Sequence, residues 1–190
     1  MNDEAAKDLA VGTADRLIYE RGIRSVGMDD IRDASGLSLK RLYRLFPAKE
    51  QLAEAALRHR EAAFTASLAA RVEAVADPRD RLLAVFDHLQ VWFDEPDFRG
   101  CPFVNAWGEA GAEGCVADAV ADQKRALRAY LDRLVAAVDG LAPPVAGQLF
   151  ILANGAMVAA ATLDWPEAAA EARAAAAILV DAHLANLRKS

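Results

Sequence analysis

Apolar residues recur at intervals of three and four along most of the chain, the spacing that places them on one face of an α-helix. The first such stretch includes Leu9 and Leu17 and stops at Gly22, and later stretches stop at breaks such as Pro47 and Pro78. The pattern predicts nine helices and no strands. We expect the helices over residues 4–21, 28–35, 39–46, 49–76, 79–93, around 103–107, 116–138, a segment ending near 163, and 167–187.

The composition agrees with a helical protein. Of the 190 residues 54% are hydrophobic, mostly alanine and leucine, and there are only 11 glycines and 7 prolines. A chain of this length can bury a substantial core. We therefore predict an all-α fold with an N-terminal three-helix helix-turn-helix domain over residues 1–48 and a C-terminal helical bundle over residues 49–190.

Residues 28–46 have the form of two short helices joined by a tight turn. Gly36 suits the end of the first helix, and Ser38 suits the N-cap of the second. We expect Leu42, Leu45 and Phe46 to pack inward against Ile31, Ala34 and Leu37. This is the form of a helix-turn-helix, in which the second helix enters the major groove of DNA.

The predicted reading helix is basic although the protein is acidic, with a net charge of −6. Its side chains expected to point largely outward are Lys40, Arg41, Tyr43 and Arg44. The cations can bond guanine edges or phosphates there, and a tyrosine hydroxyl can donate to a phosphate oxygen. Lys49 stands in the first turn of the fourth helix, where a cation opposes the helix dipole. A phosphate bound there would interact favourably with both the Lys49 cation and the positive end of the helix dipole. A local phosphate-binding surface is therefore predicted.

A compound motif extends through this region. It consists of Arg21-Gly22, Asp30-Ile31, Gly36-Leu37-Ser38, Leu42-Tyr43, Phe46, Lys49-Glu50 and Leu52. Over roughly residues 9–55 it resembles the N-terminal domain of the tetracycline-repressor (TetR) family of bacterial transcription regulators. The resemblance implies an all-helical homodimer that binds operator DNA through its first three helices and releases it when a small molecule occupies the C-terminal domain.

Carried over by position, the resemblance implies DNA contacts from Ser38, Leu39, Lys40, Arg41, Tyr43, Arg44 and Lys49. Gly27 stands where the family commonly has a threonine or serine that caps the second helix and touches phosphate. Lys40 and Arg41 replace residues that are often glycine and threonine. The operator sequence of a relative therefore does not transfer to this chain.

The remainder of the chain, residues 61–190, holds all three tryptophans and every phenylalanine except Phe46. An aromatic cluster around the irregular segment 95–102 predicts a pocket for an apolar or aromatic molecule. Its expected lining is Trp92, Phe93, Phe98, Cys101, Phe103, Asn105, Trp107 and Glu109, with Asn154 and Met157 as weaker candidates. Ordinary core packing is the alternative for such a cluster.

The last two helices are rich in small residues, which permit close helix approach. The resemblance implies a two-fold four-helix dimer interface there, for which we select Ala156, Ala160, Ala176, Leu179, His183 and Leu187. Closing the core of a single protomer is the alternative role. Dimerisation would set two reading helices into successive major grooves.

We predict a ligand-responsive repressor, released from a palindromic operator by a small molecule, with no catalytic, metal or cofactor site. A thiol redox-sensing regulator using Cys101 is an alternative, as is a cysteine-dependent helical enzyme using Cys101 or Cys115, although no local signature supports the enzyme. A helical module that binds an acidic protein is a third. The chain begins with no signal pattern, and its longest apolar run, residues 149–163, is shorter than the roughly 20 residues of a membrane span, so we expect a cytoplasmic protein.

Overall fold

The computed structural model describes residues 1–187, with side chains through residue 185. The described residues form nine α-helices and no strand, as predicted. The helices are α1 (Asp3–Arg21), α2 (Met28–Ser35), α3 (Leu39–Leu45), α4 (Lys49–Glu73), α5 (Pro78–Phe93), α6 (Pro102–Ala110), α7 (Cys115–Ala136), α8 (Pro144–Leu163) and α9 (Ala168–Leu187).

The chain folds into two compact units. The first unit comprises Met1–Phe64 and Pro102–Gln123, and the second comprises Thr65–Cys101 and the residues from Lys124 onward. The first unit therefore extends beyond the expected residues 1–48, since it includes the start of α4, all of α6 and the start of α7.

Local signals fix the ends of the first three helices. Asn2 caps α1, because its Oδ1 accepts a hydrogen bond from the backbone N–H of Ala5 at 2.9 Å. Gly36 ends α2 in the left-handed conformation with φ 71°, which costs glycine little. The Oγ of Ser38 then caps α3.

The core of the first unit is built from small and branched apolar side chains of α1 to α4. Leu42 is fully buried and Phe46 is 5% exposed, whereas Leu45 is only partly buried. The core contains Ala6, Ala10, Ala14, Leu17, Val26, Met28, Ile31, Leu37, Leu42, Phe46, Leu52 and Ala56. The predicted inward partner Ala34 is exposed, because it lies on the solvent side of α2.

In the second unit, α5, α8 and α9 pack against one another. Phe86, Leu149 and Ala176 are fully buried there. Arg79 of α5 holds Asp181 of α9 through two parallel bonds, Nε to Oδ1 and Nη2 to Oδ2, each 2.7 Å long. The buried side chains and this ion pair stabilise the packing of α5, α8 and α9.

Helix α8 begins at Pro144 and reaches 20 residues, so it is longer than the apolar run at residues 149–163. Among the described residues it is the one helix long and apolar enough to cross a membrane, with a mean hydropathy of 1.5. A single helix of this kind is weak evidence for a membrane span, since the core helix of a soluble protein passes the same test.

Candidate nucleic-acid interface and ligand site

Helix α3 presents a polar face opposite its buried one. Leu42 faces the core, while Lys40, Tyr43 and Arg44 lie on the exposed side. The side chain of Arg44 is 61% exposed, and Tyr43 is 50% exposed. These three side chains therefore point outward as the sequence predicts. A phenol and two cations on one short helix form a surface that can donate to phosphates and to base edges.

Arg41 differs from its neighbours because its guanidinium folds back onto the start of the chain. Its Nη2 donates to the carbonyl oxygens of Met1 and Asn2, both at 2.8 Å, and to Oδ1 of Asp3 at 3.1 Å. The side chain is only 24% exposed. Arg44 also donates to Oδ1 of Asp3, at 2.6 Å. Two cations of the predicted reading helix thus share one carboxylate.

The charge state of Asp3 follows from this contact. The hydrogen bond from Arg41 is the main cause that holds the pKa of the Asp3 carboxyl below its ordinary value; desolvation opposes it, and the charge of Arg44 adds to the lowering. Asp3 therefore stays anionic at neutral pH. No local sequence signal indicates the pairing, because 38 residues separate Asp3 from Arg41.

Lys49 has a partner that the sequence did not indicate. Its Nζ donates to the carbonyl oxygen of Ile23 at 3.0 Å, and the side chain is partly buried. The cation at the start of α4 is thus satisfied by the turn between α1 and α2. No phosphate is needed to offset its position, so the charge of Lys49 does not by itself indicate a phosphate site.

Glu109, selected as a possible ligand contact, lies at the end of α6 in the first unit and binds the same turn. Its Oε2 accepts from the backbone N–H of Arg24 at 2.8 Å, and its backbone carbonyl accepts from Nε of Arg24 at 2.9 Å. Gly22 of that turn lies so close that a Cβ there would approach Oε1 of Glu109 to 2.6 Å. The Glu109 carboxylate therefore stabilises the turn between α1 and α2.

Three of the predicted aromatic residues come together in the second unit. The rings of Trp92 and Phe98 meet edge to face with centroids 5.2 Å apart, and Phe93 lies 4.9 Å from Phe98. Phe93 is buried, while Trp92 and Phe98 are partly exposed. The other predicted residues of this group, Phe103, Asn105 and Trp107, lie on α6 in the first unit, where Phe103 is buried and the other two are exposed.

A polar cluster in the second unit joins Cys101 to Asn154 through a residue that the sequence pattern did not single out. Lys124 Nζ lies 3.4 Å from Cys101 Sγ and 2.8 Å from Asn154 Oδ1. Within the described part of the chain, this lysine forms no ion pair with a carboxylate. A signal existed, since Lys124 interrupts the apolar stripe of α7 between Val120 and Leu127.

The remaining ligand candidate, Met157, is 3% exposed. Both cysteines are free, and Cys101 is buried. A groove of about 540 Å³ lies elsewhere in the second unit, between α4 and α5. Its lining is Ser67, Ala70, Arg71, Ala74, Val75, Ala84 and Asp87, none of which the sequence predicts as a ligand contact. Across the described residues, no group of three or more His, Cys, Asp or Glu side chains is arranged to hold a metal.

The predicted dimer residues differ in how far they are buried within the single chain. Ala156, Ala160 and Ala176 are at most 5% exposed in the single chain, so they close the protomer's own core. Leu179 and His183 are half-buried, and the side chain of Leu187 lies outside the described residues. The exposed large apolar side chains of the last two helices are Ile151, Val158 and Leu163 of α8 and Ile178 of α9, with Ile151 and Ile178 at 70% and 72%.

These features define a helix-turn-helix protein with a second helical unit. The sequence profile described as bacterial regulatory proteins, tetR family, matches residues 11–56. An uncharacterized HTH-type transcriptional regulator of Mycobacterium tuberculosis is 32% identical over 94 residues, which are 49% of this chain and 46% of that protein. The chain thus spans about half the length of the curated relatives it matches.

Solved structures extend the likeness to nearly the whole chain. A TetR-family transcriptional regulator from Streptomyces coelicolor is 29% identical, with a TM-score of 0.82 over 94% of this chain and 88% of that one. A transcriptional regulator from Saccharomonospora viridis in complex with choline shares the fold, with a TM-score of 0.76, 20% identity and coverage of 94% and 96%. Residues 11–56 thus match the tetR family of bacterial regulatory proteins, and the chain as a whole shares its fold with a TetR-family transcriptional regulator.

Proposed function

We propose that this protein is a cytoplasmic transcriptional repressor that binds a palindromic operator as a homodimer and releases it when a small molecule binds the second unit. The observation that carries the proposal is the exposed face of α3, where Lys40, Tyr43 and Arg44 stand over the buried anchor Leu42. The capped turn from Gly36 to Ser38 fixes the direction of that face. The match of residues 11–56 to the tetR family supports the same function.

Loss of the two exposed cations tests the DNA-binding step. Lys40→Ala combined with Arg44→Ala should abolish binding to the DNA upstream of the protein's own gene, measured by fluorescence anisotropy, while the circular dichroism melt stays cooperative. A control pair, Arg16→Ala with Arg58→Ala, removes the same charge from exposed sites on α1 and α4. Equal binding by the two double variants would refute the role of α3.

For the effector we propose an apolar or aromatic molecule with one polar end. The cluster of Trp92, Phe93 and Phe98 offers aromatic surface, and Lys124 with Asn154 offers a donor and an amide in the same unit. A structural relative from Saccharomonospora viridis holds choline, which supports a small-molecule site in this fold.

Tryptophan fluorescence can test the position of that site. Compounds that release DNA should change the fluorescence of a variant with both Trp107→Phe and Trp165→Phe, because its remaining tryptophan, Trp92, packs in the aromatic cluster. Unchanged fluorescence of that variant would refute a site at the cluster. Lys124→Met should weaken binding of polar-ended compounds more than that of purely apolar ones. Unchanged affinities in Lys124→Met would refute the polar contact.

We propose that the exposed faces of α8 and α9 form the dimer interface, with Ile151 and Ile178 near its centre. Two such helices from each protomer would make a four-helix contact, and two reading helices must lie roughly 34–36 Å apart to reach successive major grooves. Ile178→Glu should give a monomer in sedimentation at micromolar concentration. Val91→Glu, at an exposed apolar site on α5, is the control, and a dimeric Ile178→Glu would refute this interface.

A further inference from the structure

We propose that Asp3 is an intramolecular competitor for DNA: its carboxylate occupies Arg41 and Arg44 in the free protein and so lowers the affinity of α3 for phosphate. The inference rests on the proposed function, since it concerns the same α3 surface. Its residues are contributed by the first turn of α1 and by α3, both within the first unit.

The contact has the chemistry of a phosphate complex. An oxygen anion, Asp3 Oδ1, accepts from Arg41 Nη2 at 3.1 Å and from Arg44 Nη2 at 2.6 Å. Arginine bonds the oxygens of carboxylates and phosphates in the same way. A DNA strand that approaches α3 must therefore either displace Asp3 from both arginines or accept a negative charge beside its own phosphates.

The geometry also makes the contact easy to exchange. Nη2 of Arg41 carries two hydrogens, yet it serves three acceptors, the carbonyls of Met1 and Asn2 and the carboxylate of Asp3. Its Nε is buried without a hydrogen-bond partner in the described part of the chain. Asp3 and the Arg44 side chain are each 61% exposed, so water and salt screen their attraction.

The fold does not depend on the Asp3 carboxylate. Asn2, not Asp3, supplies the cap of α1, and Glu4 still provides a negative charge in the first turn. Asp3→Asn therefore removes the competing charge and keeps the size of the side chain. Asp8→Asn is the matched control, because Asp8 is an exposed carboxylate on the same helix that forms no ion pair among the described residues.

The experiment measures binding of the full-length protein to operator DNA and to random duplex DNA over a range of salt concentrations. Asp3→Asn should raise the affinity for both kinds of DNA about two- to fivefold, the scale of losing the ion pairs of one exposed carboxylate, and more than Asp8→Asn does. The dependence of log affinity on log salt should steepen by up to about 0.9 for each additional phosphate that the protein neutralises. In an Arg44→Ala background the increase from Asp3→Asn should shrink.

Three results would overturn the inference. Equal increases in affinity from Asp3→Asn and Asp8→Asn would mean that only net charge matters. A loss of operator affinity in Asp3→Asn would mean that Asp3 positions the arginines and does not compete. An undiminished increase both in the Arg44→Ala background and in an Arg41→Ala background would show that the ion pairs of Asp3 are not responsible. Failure of the wild-type protein to bind any DNA would instead refute the proposed function, so the two failures are distinguishable.

Discussion

Replacement of Gly22 by alanine should destabilise the first unit markedly, although the change adds one methyl group. Gly22 ends α1 with φ 87° and ψ 157°, a conformation that is essentially restricted to glycine. A Cβ at this position would also lie 2.6 Å from Oε1 and 3.0 Å from Oε2 of Glu109. Both the backbone and the neighbouring carboxylate therefore oppose a side chain.

The two effects have separate magnitudes. Holding a residue in such a backbone conformation costs about 1–3 kcal/mol. The Glu109 carboxylate must also shift, which weakens its 2.8 Å bond to the backbone N–H of Arg24, an exposed charge-assisted bond that contributes about 1 kcal/mol. We expect Gly22→Ala to lower the free energy of unfolding by about 2–4 kcal/mol.

Urea unfolding followed by circular dichroism measures this loss. Gly12→Ala is the matched control, because Gly12 lies inside α1 with nothing within 4 Å of the added Cβ. That change should stabilise the protein by about 0.5–1 kcal/mol, since alanine favours a helix over glycine. The same substitution is thus expected to lower the free energy of unfolding at Gly22 and to raise it at Gly12. Such a difference in sign must come from the local structure of the two sites, since the chemical change is identical.

A double variant separates the two costs. In a Glu109→Ala background the close contact disappears, so Gly22→Ala should there cost only the backbone part. A Gly22→Ala protein whose unfolding free energy lies within about 0.5 kcal/mol of the wild type would refute the reasoning, since that change is no larger than an ordinary surface substitution.

Further predictions concern single side chains. Burial, with a smaller effect of the Arg71 charge, lowers the pKa of His88 from 6.5 to about 4, so the unfolded chain takes up the proton first and stability should fall as pH drops from about 6.5 toward 4. His88→Gln should flatten that dependence in thermal melts. Asp181→Asn breaks the bidentate pair with Arg79 and should cost about 0.5–1 kcal/mol, less at high salt. Ser38→Ala removes the α3 cap and should cost about 1 kcal/mol in urea unfolding.

Much of the local structure could be predicted from the sequence because helices are local. The spacing of apolar residues, the glycine at the end of α2 and the serine before α3 act over three or four positions. The nine helices of the described residues follow from signals of this kind. The same short-range register correctly placed Leu42 inside and Arg44 outside. A periodic pattern predicts helix ends less reliably, because fraying and capping determine where the last turn stops. Helix α4 accordingly ends at Glu73, before the expected residue 76.

The alanine-rich helices show a second limit. In α8 and α9 a small apolar side chain suits both a protomer core and a contact between protomers, so composition cannot distinguish the two. Ala156 and Ala176, predicted at a dimer surface, are buried within the chain. The large exposed apolar side chains of the two helices are Ile151, Val158, Leu163 and Ile178.

The sequence alone therefore determined the helices, the helix-turn-helix and the sign of its exposed face, because each depends on residues a few positions apart. Only the tertiary structure decided which charges meet. Asp3 meets Arg41 across 38 positions, and Glu109 meets Arg24 across 85. Lys124 joins Cys101 to Asn154 in the same way. Contacts of this kind follow from how helices pack, which no short-range periodicity encodes, and they determine which cations of the basic surface are free to bind another molecule.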